Sequence, residues 1–212
     1  MIVTKQKPIE DILKVVQNEK GIFVIGCADC ATSCSTGGEK EVQAMAQTLQ
    51  EKGHKITGTF VIDVPCDERI DKIFFRKFQN ELSQSTAILV LACGAGINAI
   101  AKNTDLKVYS GLDSLFVGTT ERLGNFNEYC SLCGDCILNE TEAICPVTRC
   151  PKGFVNGPCG GAINGMCEVH TDKQCLWVSI YEKNNKAPVF SKMIPYRKNR
   201  KLNQPQTIRK AK

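Results

Sequence analysis

Thirteen cysteines are the residues of this 212-residue chain best suited to carry chemistry. An odd number of cysteines cannot be fully paired, and thiols stay reduced in a glutathione-buffered cytosol. The sequence therefore favours metal ligation over a disulfide framework. Eight cysteines form a C-terminal group: Cys130, Cys133, Cys136, Cys145, Cys150, Cys159, Cys167 and Cys175. The other five form an N-terminal group: Cys27, Cys30, Cys34, Cys66 and Cys93.

The C-terminal group begins with a CxxCxxC motif, in which Gly134 eases the turn. This spacing lets three thiolates from one tight loop reach one iron-sulfur cluster. Two Cys-Pro pairs follow, although not in the register of a bacterial ferredoxin, and Cys159 lies in the glycine-rich stretch NGPCGG. Eight thiolates fill two four-cysteine sites, so we predict two [4Fe-4S] clusters here. The alternative is a pair of structural zinc sites, which would favour two well-separated CxxC knuckles.

The N-terminal group follows the ends of predicted strands. Cys27 ends the first strand, Cys66 closely follows the second and Cys93 ends the third, whereas Cys30 and Cys34 lie in the turn before the next helix. The carboxyl ends of parallel strands open onto one edge of a sheet, so these thiols should converge. We predict that four of the five hold one further metal centre. The sequence leaves open whether that centre is an iron-sulfur cluster or zinc.

The elements that must position these thiols have α/β character. Apolar, β-branched runs predict strands at residues 21–25, 57–64 and 87–92, with a short fourth at 107–110, and amphipathic spacing predicts helices at 39–52 and 67–82. We therefore expect a Rossmann-like parallel-sheet domain over residues 1–125, followed by a loop-rich, Cys-rich iron-sulfur domain over 126–182. The apolar stretch at residues 176–181 predicts a strand or a short helix that closes this second domain.

Charge is distributed unevenly along the chain. The formal net charge is +5, but ten of the 27 basic residues lie from Lys183 onward, where no acidic residue occurs. The first 182 residues carry 17 basic and 22 acidic residues, a net charge of −5. A nucleic-acid-binding protein would place basic residues on a folded face, so we expect residues 183–212 to be a flexible tail that is solvated or docks a partner. No apolar run reaches the roughly 18 residues of a membrane span, and we expect a cytoplasmic protein.

A second possible ligand site is a dinucleotide fingerprint. The stretch CGAGINA matches GxGxxA through Gly94, Gly96 and Ala99, and Asp113 lies near the position of a ribose-binding acid. The first strand, rather than the third, normally carries that fingerprint, so we favour the metal interpretation of Cys93. His54 and His170 are isolated in the sequence, and no catalytic acid-base pair is predicted.

Five motifs, GCADCATSCSTGGEKEV, LACGAG, CSLCGDC, ICPVTRCPKG and NGPCGGAINGMCEV, together resemble the small iron-sulfur subunit of anaerobic methylenetetrahydrofolate reductase, or the C-terminal-like domain of that enzyme. The resemblance covers residues 1–182. It implies a TIM-barrel, flavin-containing partner that reduces 5,10-methylene-tetrahydrofolate to 5-methyl-tetrahydrofolate, with this chain supplying electrons and not being catalytic alone. A larger electron-donating complex would be a second partner. The alternative is a zinc-stabilised scaffold that docks the flavoprotein to such a complex.

Overall fold

The computed structural model describes residues 1–184, so nearly all of the predicted basic tail lies outside the described residues. The chain divides into two compact units, Met1–Tyr129 and a second that begins at Cys130. Along the chain the elements are β1 (Ile2–Gln6), α1 (Ile9–Val16), β2 (Ile22–Cys27), α2 (Cys30–Ser33), α3 (Glu39–Glu51), β3 (Ile56–Ile62), α4 (Glu68–Lys77), α5 (Gln79–Ser83), β4 (Ala87–Leu91), α6 (Gly94–Ala101), β5 (Lys107–Ser110), β6 (Leu112–Val117), β7 (Thr119–Arg122), β8 (Asn125–Asn127), α7 (Pro146–Arg149) and α8 (Leu176–Lys183).

A four-stranded parallel sheet organises the first unit, and its strand order is β3-β2-β4-β5. The prediction of an α/β fold with parallel strands is therefore confirmed. Every residue of β2 and β4 is buried, which is why both strands read as continuous apolar runs. β3 lies on one side of β2, and β4 and β5 lie on the other, so the strand order reverses between β2 and β4. Open α/β sheets place ligands outside the carboxyl ends of the strands at such a reversal.

The predicted helix over residues 67–82 is two helices, α4 and α5. The chain turns at Phe78, whose backbone angles of φ −106° and ψ 26° leave the helical region. The ring of Phe78 lies 5.7 Å from that of Phe23 and 4.7 Å from that of Phe60, measured between centroids. At the break, the partly buried ring of Phe78 packs against the aromatic cluster of the core.

The polar N-terminal residues form an unpredicted strand. β1 pairs antiparallel with β6, with Ile2 opposite Val117. The hydroxyl groups of Thr4 and Thr36 hydrogen-bond at 2.6 Å in a buried position. This contact fixes β1 beside the segment that follows α2, so the N-terminus is part of the structure that surrounds the N-terminal cysteine group.

The second unit has little regular structure between Cys130 and residue 184. It contains α7 and α8, and its apolar core is a small cluster of Ile144, Leu176, Trp177 and Ile180. The indole N–H of Trp177 donates to the carbonyl of Phe154 at 3.2 Å. Of the two alternatives predicted for residues 176–181, the helix is the one formed. Such a small core leaves most of the unit to be held by other interactions.

Among the helices of residues 1–184, none combines the length and apolarity needed to cross a bilayer.

Candidate metal centres

The N-terminal cysteine group lies at the carboxyl edge of the parallel sheet. Cys27 is the last residue of β2 and is buried, and its backbone N–H donates to the carbonyl of Gly37 at 2.9 Å. Cys93 follows β4, is also buried, and precedes the first residue of α6. Cys66 is exposed in the turn between β3 and α4. Strand order therefore brings these three cysteines to one edge, as predicted.

Electrostatic contacts show which of these thiols are neighbours. The pKa of the Cys66 thiol is raised, first by desolvation of the sulfur and then by the nearby Cys93. Cys27 and Asp29 raise it further. The pKa of Cys30 is raised mainly by burial, with Asp29 and Cys27 adding to the effect against a backbone hydrogen bond that lowers it. Four of the five cysteines therefore lie within electrostatic range of a partner, and Cys27 is the one shared by Cys30 and Cys66.

Cys30 and Cys34 both contact the first strand through one residue. The N–H of Ile2 donates to Cys30 Sγ at 3.5 Å, and Cys34 Sγ donates to the carbonyl of Ile2 at 3.9 Å. Because i and i+4 positions share one face of a helix, the short α2 presents both sulfurs to β1. The prediction from sequence did not include β1, so it missed this contact.

The CxxCxxC motif opens the second unit. The N–H of Leu132 donates to Cys130 Sγ at 3.4 Å, and Cys133 Sγ donates to the carbonyl of Asp135 at 3.5 Å. Gly134 has a φ of +74°, in the left-handed region that glycine adopts without strain. Cys136 is exposed. The motif is thus a tight loop in which backbone N–H groups can reach sulfur.

The remaining C-terminal cysteines lie at the ends of short elements. Cys145 and Cys150 flank α7, and Cys175 precedes α8 and packs against the small apolar cluster. The N–H of Phe154 donates to Cys150 Sγ at 3.3 Å. The N–H of Cys167 donates to the carbonyl of Lys173 at 2.9 Å.

Cys159 lies beside an ion pair. Its Sγ donates to Oε1 of Glu168 at 3.4 Å, and it accepts from the N–H of Gly161, also at 3.4 Å. The same Glu168 oxygen binds the ammonium group of Lys152. The hydrogen bond from Lys152, followed by that from Cys159, holds the pKa of Glu168 below its usual value.

Residues of the predicted dinucleotide-binding motif make other contacts in the structure. Gly94 begins α6, but its N–H donates to Ser114 Oγ at 2.9 Å instead of facing an open anion site. Asp113, the candidate ribose-binding acid, forms an ion pair with Lys7. Both groups thus serve to join β6 to neighbouring elements, which argues against the dinucleotide alternative.

The family comparison matches a large part of this region. Residues 109–202 match the family model described as methylene-tetrahydrofolate reductase C terminal. This part of the chain is similar to the C-terminal domain of methylene-tetrahydrofolate reductase. This confirms the resemblance inferred from the cysteine motifs, although the two N-terminal motifs lie before the matched range. No curated protein and no solved structure matches the chain significantly.

The matched domain contains all eight C-terminal cysteines, and their chemistry suits iron. Thiolates are the usual ligands of iron-sulfur clusters, and backbone N–H donors to sulfur, such as those of Leu132, Phe154 and Gly161, are the groups that stabilise bound thiolate. Within residues 1–184, however, no three Cys, His, Asp or Glu side chains are grouped so that they could hold one metal ion. The donors fit by type, and binding would have to draw their side chains together.

The sequence analysis did not identify several charged residues that lie beside the cysteines. Lys152 and Glu168 resemble ordinary surface charges, and only their positions two residues after Cys150 and directly after Cys167 could have drawn attention to them. Asp29 between Cys27 and Cys30 gave a similar weak signal. Their contacts depend on how the loops fold together, which spacing alone does not specify.

Proposed function

We propose that this chain is a cytoplasmic electron-transfer component of a methylenetetrahydrofolate reductase. Its C-terminal cysteines would hold two [4Fe-4S] clusters that accept electrons from a donor complex and deliver them to a flavin-containing partner. The partner would reduce 5,10-methylene-tetrahydrofolate to 5-methyl-tetrahydrofolate. Clusters of this type supply one-electron transfer, and the folate chemistry would occur on the partner.

The observation that supports this proposal best is the concentration of eight thiols in a unit with a core of four apolar residues. A segment with so little buried hydrocarbon needs another source of stability, and metal-thiolate bonds would supply it. The family match over residues 109–202 supports the reductase setting. The same thiols could bind zinc, which would make the chain a scaffold without a redox role.

For the N-terminal centre we propose the ligands Cys27, Cys30, Cys66 and Cys93. Cys27 contributes to the raised pKa of both Cys30 and Cys66, and Cys93 contributes to that of Cys66, so these electrostatic effects connect the four thiols. Cys34 Sγ instead donates to the carbonyl of Ile2. Cys66→Ser should lose the metal of this centre, whereas Cys34→Ser should retain it. Equal metal content in the two variants would contradict the assignment.

The test of the main proposal is anaerobic purification of the full chain with analysis of iron, sulfide and zinc. Two [4Fe-4S] clusters predict about eight iron atoms with matching sulfide per chain, plus visible absorption that dithionite bleaches. A colourless protein that contains zinc alone would support the scaffold and reject electron transfer.

A matched pair of variants locates the iron. Cys133→Ser should lose about half of the C-terminal iron, because each cluster needs four cysteine ligands. Ser131→Ala changes a neighbouring exposed residue of the same loop and should retain all of it. Full iron content in Cys133→Ser would refute the role of this cysteine.

A further inference from the structure

Three loops of the second unit bring an ion pair against the predicted metal ligands. Lys152 follows Cys150-Pro151, and Glu168 follows Cys167. The ammonium group of Lys152 binds Oε1 of Glu168, and this oxygen also accepts the hydrogen bond from Cys159 Sγ at 3.4 Å. Two charged side chains therefore meet at a cysteine that the proposed function assigns to a cluster.

The contact between Glu168 and the Cys159 turn is close. A Cβ atom added at Gly161 would lie 1.8 Å from Oε1 of Glu168, so the glycine leaves the space that the carboxylate occupies. Gly160 has a φ of +79°, which lets the chain double back and aim the N–H of Gly161 at Cys159 Sγ. The carboxylate and the amide thus approach the same sulfur from different segments.

Metal binding would change the charge balance at this point. A metal-bound cysteine is a thiolate and has no proton to donate to Glu168. The carboxylate and the sulfur would then be two neighbouring anions, whose repulsion needs a compensating cation. Lys152 is already bound to the carboxylate, and it lies within electrostatic range of both Cys159 and Cys167.

We propose, on the basis of the proposed function, that Lys152 and Glu168 are positioning residues that set the reduction potential of the cluster that Cys159 would bind. One-electron reduction by an external donor adds one negative charge to that site. The positive charge of Lys152 stabilises the reduced form, and the negative charge of Glu168 opposes it. The side chains are 37% and 35% exposed, so salt should weaken both effects.

The experiment is a dithionite titration of the anaerobically purified full chain, followed by electron paramagnetic resonance. Lys152→Met removes the cation and should shift the potential of one cluster to a more negative value. Glu168→Gln removes the anion and should shift the same potential to a more positive value. Lys183→Met, an exposed lysine in the last turn of α8, is the matched control and should cause no shift.

Opposite shifts in the two variants support the inference, because a purely structural disturbance has no reason to change sign with the removed charge. Unmoved potentials, or shifts of both variants in one direction, overturn it. Loss of iron in Lys152→Met with recovery in Lys152→Arg also supports a required cation, and loss in both variants overturns it. Absence of iron from the wild-type chain overturns the proposed function and this inference together, whereas normal iron with unmoved potentials overturns the inference alone.

Discussion

Asp71 is a buried carboxyl group whose charge should make the stability of the first unit depend on pH. The residue lies on α4 with no exposed surface, one turn before the buried Phe74. Neither side-chain oxygen has a hydrogen-bond partner. Burial, reinforced by the nearby Asp67 and Glu68, raises the pKa of Asp71 to about 7 from 3.8. Glu68, on the same helix, forms an ion pair with Lys102, the C-cap residue of α6.

The direction of the effect follows from proton linkage. Because the pKa of Asp71 is higher in the folded chain, the unfolded chain loses this proton first as pH rises. The free energy of unfolding should therefore fall between about pH 4 and pH 7 and level off above. A rise of about 3 pKa units corresponds to about 4 kcal/mol over the full range at 1.36 kcal/mol per unit. Between pH 5.5 and pH 7 the expected loss is about 2 kcal/mol.

Asp71→Asn removes the ionisable group at nearly constant volume. We expect its free energy of unfolding to lack this fall, so that the variant exceeds the wild type at pH 8.5 by roughly 1 to 3 kcal/mol once the cost of a buried amide is deducted. Urea unfolding of the full chain at pH 5.5 and pH 8.5, followed by far-ultraviolet circular dichroism, measures the difference. Asp105→Asn changes an exposed aspartate and serves as the control. Equal pH dependence in the wild type and Asp71→Asn would refute the reasoning.

Three further substitutions test the contacts around the sheet. Gly37→Ala should destabilise the first unit by about 3 kcal/mol or more in urea unfolding, because the new Cβ would lie 2.1 Å from a backbone carbonyl of β4. The hydrogen bond from Lys107 lowers the pKa of Glu19, so the wild type should lose stability as the pH falls below 4.5. Glu19→Gln should not show this loss, and identical acid unfolding of the two chains would contradict the expectation. Thr4→Val should cost about 1 kcal/mol and accelerate amide exchange in β1, because it breaks the hydrogen bond to Thr36.

The sheet could be predicted from sequence because its signals are local. The buried strands β2 and β4 are continuous apolar runs, and their spacing by helices predicts parallel pairing. β1 could not be predicted in the same way. Its sequence IVTKQ is short and half polar, and it is held by a distant partner, β6, and by the contact of Thr4 with Thr36. Pairing over more than a hundred residues leaves no periodic pattern at either end.

In the candidate sites too, features with a local sequence signal could be predicted and features that depend on distant contacts could not. The convergence of Cys27, Cys66 and Cys93 follows from parallel strands, so the sequence was sufficient to predict it. The neighbourhood of Cys159 was not predictable, because Lys152 and Glu168 approach it from separate loops with no repeating pattern. Spacing identifies ligands that share a loop, whereas side chains that modify those ligands from elsewhere become visible only in three dimensions.

The two cysteine groups place different demands on the protein, and this difference bears on how metal would act in each. The N-terminal group lies at the edge of a sheet with a large buried core. Hydrophobic packing therefore stabilises the fold of that unit whether or not metal is bound. The C-terminal group lies in loops around one small apolar cluster, where metal-thiolate bonds would replace a core. Removal of metal by a chelator should therefore speed proteolysis and amide exchange in residues 130–184 while leaving β2 and β4 protected. Equal loss of protection in both units would show that packing of the sheet does not suffice, and equal retention would show that the loops need no metal.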